Sequence, residues 1–289
     1  MDCKNRDGSL YATDNGQDNL LKKLYGSIGG RVILKILTKP CISKLAGVFL
    51  DSKLSTVLIK PFIKQNNIDM SDYMENVKYS SYNDFFTREV KSECRQIDND
   101  YQIFISPADG RATVYDINEN SSFTIKDTKY NVETITKSKK AANIYKGGKF
   151  VIIRLCVDNY HRYCYLDNGK KTKNKFIQGK LHTVNPIAND YFEIYKENSR
   201  ECSVLYTENF GRVMQIEVGA LMVGRIKNYH EKCDIVKGQP KGKFEFGGST
   251  ICLLVEKDKV IFDEDIIENT NNGYETAVKM GERIGIKFQ

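Results

Sequence analysis

The chain has 289 residues, of which 40% are hydrophobic and 28% charged, and its formal net charge is +7. That length allows a large buried core. No stretch reaches the roughly 18 consecutive apolar residues of a membrane-spanning helix, and no segment is of low complexity. The eight cysteines include no CxxC pair, which excludes a zinc ribbon or a thioredoxin-type centre and suits free thiols in a reducing compartment.

In chain order, residues 1–18 read as a polar, mobile tail without the apolar core of a signal peptide, so the sequence predicts a cytoplasmic protein. Residues 19–91 read as a helical, membrane-associating region. Between Leu20 and Lys64 nine basic residues are mixed with leucine, isoleucine and valine, and Asp51 is the only acid. Leu20, Leu21, Leu24, Ile28, Val32 and Ile36 recur at helical spacing, and Pro40 and Pro61 divide the stretch into short helices. Such a basic amphipathic stretch suits the surface of an anionic bilayer, and it equally suits a helical cap on the main domain. Two short helices are expected over 69–91, because Asp72 with Glu75 and Ser81 with Asp84 stand at capping-box spacing.

Residues 92–289 read as a β-rich catalytic domain. Its apolar runs are rich in Val, Ile, Tyr and Phe, with Gly, Asn and Asp between them, and they do not alternate with helices. The expected class is α+β, a mainly antiparallel β body carrying N-terminal amphipathic helices. Asp167-Asn168-Gly169-Lys170 predicts a β-hairpin.

Few residues in this body can carry chemistry. The histidines are His161, His182 and His230, and their spacing fits no metal-ligand motif, so no metal site is expected. His161 follows an apolar strand, at a place where a base would be held rigidly. Asp109, in "SPADGRA", is equally explained as turn chemistry. Ser106 and Ser249 are candidate nucleophiles, without the G-x-S-x-G elbow of an α/β-hydrolase. The step Gly247-Gly248-Ser249-Thr250 interrupts the strand pattern of "FEFGGSTICLLVEK". A β-bulge explains it, and so does a serine whose hydroxyl attacks the preceding carbonyl, a bend that glycine permits.

"SYNDFFTR" (81–88), "SPADGRA" (106–112), "VDNYHRYCYLDNG" (157–169), "VNPIA" (184–188), "VGALMVGRI" (218–226), "FEFGGST" (244–250) and "ETAVKMGERIG" (275–285) occur together and in this order. On these motifs the chain resembles the phosphatidylserine decarboxylases, in their clostridial branch, from about Leu20 to the C-terminus. The resemblance implies a proenzyme that cuts itself between Gly248 and Ser249, leaving a long β chain (1–248) and a short α chain (249–289). Ser249 would become a covalent pyruvoyl cofactor, whose carbonyl forms a Schiff base with the amine of phosphatidylserine, giving phosphatidylethanolamine and CO2. An Asp–His–Ser relay falls on Asp109, His161 and Ser249.

Many members have a second histidine three residues after the first, where this chain has Cys164, so His182 is kept as the alternative or auxiliary base. The hairpin at 167–170 would bring its strand beside that of His161. The expected partners are phosphatidylserine in an anionic membrane and the two chains of the heterodimer, with a higher oligomer left open and no nucleic acid. The expected location is the cytoplasmic face of the cell membrane, held peripherally. The alternatives are a lipid-binding relative with altered catalysis and a pyruvoyl decarboxylase for another serine-containing substrate.

Overall fold

The computed structural model describes residues 2–11, 25–27, 29–30, 34, 40–125, 128–184, 192–219, 225–245 and 249–289. Six of the helical-spacing positions named above, Leu20 to Ile36, and Gly248 of the expected cut site lie outside them.

The labelled strands, in chain order, are β1 (Cys3–Lys4), β2 (Gly110–Asp116), β3 (Lys149–Leu155), β4 (Arg162–Cys164), β5 (Arg200–Thr207), β6 (Arg212–Val218), β7 (Pro240–Phe244), β8 (Ser249–Val255) and β9 (Glu275–Val278). A central eleven-stranded sheet carries β5-β6-β8-β3-β2-β9-β1 as consecutive neighbours. Its described strand pairs are antiparallel except β1 with β9. The class is α+β with a mainly antiparallel β body.

β8 shows why the apolar run at 251–255 has no polar alternation. Ile251, Leu253 and Val255 face one core and Cys252 and Leu254 another. All seven residues of β8 are buried, because layers cover both faces of the sheet. On the first face lies a small sheet of Ile226–Asn228, β7 and β4.

Helices α1 (Pro40–Leu50), α2 (Ile59–Gln65) and α3 (Tyr82–Phe86) stand apart from the sheet, with a 3-10 turn at Lys53–Leu58. Pro40 and Pro61 fall in the first turns of α1 and α2, where a missing N–H costs little. Ser81 caps α3, its Oγ accepting from the Asp84 amide at 3.1 Å.

Three expectations need correction. Residues 3–11 are not a loose tail: Cys3 is buried, β1 pairs with β9, and Arg6 bonds to Asp263 and Asp265. Over 69–91 there is one helix, not two, because Asp72 pairs with Arg95 instead of capping. No hairpin forms at 167–170. β4 belongs to the small sheet, whereas Gly169–Lys171 joins β5 in the central one. Asp167 accepts from the Asn209 amide, and a Cβ on Gly169 would come within 2.0 Å of the Tyr206 carbonyl, so these residues form a corner between sheets.

Candidate active site

The register of the central sheet brings distant parts of the chain to one end. Arg111 of β2 pairs with Arg154 of β3, Arg154 with Thr250 of β8, and Thr250 with Val218 of β6. Asp109 lies two residues before Arg111, and Ser249 lies one residue before Thr250, opposite Leu155. β3 ends at Leu155, and the chain runs on through Asp158 and Asn159 to His161. The His161 carbonyl accepts from the Phe244 amide at 2.9 Å, so β7 approaches the same end before the chain reaches β8.

Ser249 is fully buried, and its Oγ has no hydrogen-bond partner among the described residues. A buried hydroxyl without a partner costs free energy, and the adjacent Thr250 hydroxyl is in the same state. On the same face of the sheet lies a fully buried ion pair, Lys241 with Glu217 at 2.6 Å, joined by Asn228. Glu217 stands opposite Ile251, diagonally across from Ser249. Sequence reasoning missed this pair. Its signal was a glutamate and a lysine inside strands otherwise buried.

His161 is fully buried, and its Nδ1 lies 2.9 Å from the Asn159 carbonyl. A carbonyl only accepts, so in the neutral ring Nδ1 carries the proton and Nε2 the lone pair, as a general base requires. The ring packs on Phe86 with centroids 4.1 Å apart. α3 is fastened over this spot: the Thr87 carbonyl accepts from Arg162 at 2.8 Å and the Thr87 hydroxyl from Lys243 at 3.1 Å. Phe86 also joins Leu50 and Tyr82 in a small core with Ile59 and Phe62, which couples α1 and α2 to His161.

His182 reaches the same end by another route than a hairpin. Asn198 donates to the carbonyls of both His182 and Gly219, and Gly219 follows Val218, the partner of Thr250. The imidazole stacks on Phe192 at 4.2 Å. Burial pushes its pKa down to about 4, against a smaller opposing pull from Glu197, so the ring is neutral at physiological pH. His230 lies elsewhere, beside the Tyr165 hydroxyl.

The Asp109 carboxylate is taken up by Arg95, through Nε at 2.7 Å and Nη2 at 2.6 Å, and by the Met280 amide at 2.9 Å. No histidine is among these partners, in contrast to the relay that the resemblance implies. Arg95, which also binds Asp72, carried no motif that would have revealed it. Gly110 has a packing reason as well as a turn reason, since a Cβ there would meet the Arg154 carbonyl at 2.8 Å. Cys164 lies beside the same turn, its amide donating to the Pro107 carbonyl. Burial, with a contribution from Asp109, pushes the Cys164 thiol up to about 12, so it cannot serve as the base a histidine would be. Ser106, the other candidate nucleophile, donates to the Ala108 carbonyl and braces the turn. A cleft of about 690 Å3 opens beside this end; Tyr73, Asp109, Arg111, Asp158 and Asn159 line it, whereas His161, His182 and Ser249 do not.

The phosphatidylserine decarboxylase family model matches residues 82–286. A phosphatidylserine decarboxylase proenzyme 2 of Clostridium acetobutylicum is 44% identical over 283 residues, covering 97% of each chain. The chain belongs to the phosphatidylserine decarboxylase family. The corresponding proenzyme of Clostridium tetani is 40% identical over 94% of this chain and 93% of its own, and that of Clostridium perfringens 41% identical over 91% of each. As a member of this family the chain is a decarboxylase, a carbon–carbon lyase. The match begins within α3, so α1 and α2 fall outside the family model, although the clostridial relatives span them.

Proposed function

We propose that this decarboxylase acts on phosphatidylserine in a membrane, releasing CO2 and phosphatidylethanolamine, after cutting itself between Gly248 and Ser249. The observation that carries the reading is the buried Ser249 hydroxyl, without a hydrogen-bond partner among the described residues, at a sheet end shared with Asp109 and His161. In the first step His161 Nε2 takes the Oγ proton, Oγ bonds to the Gly248 carbonyl carbon, and the amide nitrogen leaves as an amine, giving an ester. Loss of the Ser249 Cα proton then breaks the Cβ–Oγ bond and frees the Gly248 carboxylate. Hydrolysis of the resulting dehydroalanine releases ammonia and leaves a pyruvoyl group at the head of the short chain. Asp109, held by Arg95 and the Met280 amide, keeps the turn before β2 in place at this end.

A consumed serine needs no permanent hydrogen bond, and a fully buried position without a hydrogen-bond partner among the described residues suits the small uncharged group it would become. The pyruvoyl carbonyl, once formed, supplies an electrophile for the substrate amine and an electron sink for CO2 loss. The protein's part is to hold Ser249 rigidly in β8, to keep the site dry under α3, and to move protons at His161 Nε2.

The described helices support peripheral docking. Leu45, Val48, Leu54 and Val57 are each more than 70% exposed, on α1 and the 3-10 turn, with Lys53, Lys60 and Lys64 nearby. Among the described residues no helix is long and apolar enough to cross a membrane. An exposed apolar face with lysines around it matches the interface of an anionic bilayer, where apolar side chains enter the headgroup region.

Denaturing mass spectrometry of the purified protein tests the cut. Two chains divided before residue 249 are expected, the smaller with a blocked N-terminus, together with CO2 release from phosphatidylserine. A single uncut chain that stays intact with anionic vesicles present contradicts the proposal.

A further inference from the structure

Arg88 ends the motif "SYNDFFTR", and the residue is 2% exposed. A buried guanidinium ordinarily has a carboxylate beside it, because an unpaired buried charge is costly. Among the described residues Arg88 has none. The acids around it are engaged elsewhere: Glu89 with Arg162, Asp84 with Ser80, and Asp72 and Asp109 with Arg95. The Tyr73 and Phe85 rings cover the faces of the guanidinium, at 4.0 and 4.7 Å. Its in-plane edge is poorly satisfied. Nη1 and Nη2 reach the Phe85 and Asp158 carbonyls only at 3.4 Å, and Nε has no partner among the described residues. That edge is the one through which arginine binds carboxylates and phosphates. Tyr73 and Asp158, which flank it, also line the cleft that contains Asp109.

We infer that Arg88 is the receptor for the phosphodiester of the substrate headgroup. The inference rests on the decarboxylase reading above and names the group that fixes its substrate. Two considerations select the phosphodiester over the carboxylate. Arg88 follows the cap of α3, whose Phe86 touches both Leu50 of the helices and His161 of the sheet end, and its own Nη2 reaches the Asp158 carbonyl on the way from β3 to His161. A phospholipid drawn in headgroup first has its phosphodiester between the acyl chains and the amine. In addition, the carboxylate loses its charge as CO2 departs, so an arginine paired with it would stabilise the ground state and slow the reaction. The phosphodiester keeps its charge throughout, and binding it lowers KM without opposing catalysis.

The test uses matured full-length protein. CO2 release is followed in nonionic detergent micelles while the mole fraction of phosphatidylserine is varied. Arg88→Met is expected to mature completely and to raise KM by roughly ten- to a hundred-fold, the worth of a charge-assisted bond, with kcat within about threefold. Arg88→Lys, which keeps the charge but not the fork, is expected to fall between Met and wild type, and it carries the test alone should the Met variant fail to fold. An unchanged KM, or a loss confined to kcat, overturns the inference. If wild-type protein releases no CO2 from phosphatidylserine, the substrate reading fails by itself. Calorimetric titration with glycerophosphoserine then decides for Arg88: binding weakened at least tenfold by Arg88→Met supports the receptor, and equal binding overturns it. Inorganic phosphate that binds wild type as tightly as glycerophosphoserine makes this a general anion site and overturns the headgroup assignment.

Discussion

The central sheet and the helical segment before it treat apolar surface in opposite ways. Every residue of β8 is buried, whereas Leu45, Val48, Leu54 and Val57 stand more than 70% exposed on α1 and the 3-10 turn. The two regions meet at α3, whose Phe86 touches both Leu50 of the helices and His161 of the sheet end. The difference separates two tasks. The sheet brings Asp109, His161 and Ser249 to one end through strand register and the loop that follows β3. The helices leave apolar side chains exposed, and α3 joins them to the sheet end. The arginines near this junction repeat the contrast: Arg95 is saturated by Asp72 and Asp109, whereas Arg88 has no carboxylate among the described residues.

The largest effect should come from the sheet end. His161→Ala is expected to slow self-cleavage by about 10²- to 10⁴-fold, the usual worth of a positioned base, while His182→Ala matures normally. A time course of the two variants by denaturing electrophoresis decides between the histidines, and the reverse result transfers the role to His182. Arg95→Met comes next, because it leaves Asp109 buried without its cation, and a loss of about 3–5 kcal/mol is expected in a denaturant titration. Arg88→Met leaves no stranded carboxylate and should change stability by less than about 1 kcal/mol in the same titration. Equal losses for the two arginines would erase the contrast between them.

On the helical side, Leu54→Glu combined with Val57→Glu should leave stability within about 0.5 kcal/mol and maturation intact. Sedimentation with anionic vesicles should show the variant left in the supernatant, and retention on vesicles would remove the docking face. The smallest effect concerns pH. Unfolded His182 takes up a proton near pH 6.5, but burial delays this in the folded protein to about 4. The unfolded state therefore binds more protons between those values, and the chain loses stability on acidification from about 6.5 towards 4. His182→Gln should flatten that loss in melts run across the window.

The sequence singled out Asp109 in a turn, His161 after an apolar run and Ser249 beside glycine, and the structure places these three at one end of the sheet because each stands at or next to a strand terminus. The α3 cap was legible in the sequence, since Ser81 and Asp84 sit three apart. What was not legible depends on pairings between distant segments. Asp167-Asn168-Gly169 encodes a tight corner, but not which strand follows it into which sheet. Cys3 enters the core only through a parallel partner near the other end of the chain, so its polar neighbours read as a tail. Arg88 stood in a motif, yet its lack of a counter-ion shows only when Glu89, Asp84 and Asp109 are seen engaged elsewhere.

The central claim is that Ser249 is made to be consumed. Intact-mass measurement of purified wild type beside Ser249→Ala, both denatured before analysis, tests it most directly. The account predicts two chains parted between Gly248 and Ser249 in wild type, the shorter lacking a free amino terminus, and one uncut chain in the variant. A wild type that remains a single chain, or a Ser249→Ala protein that still divides there, would contradict it.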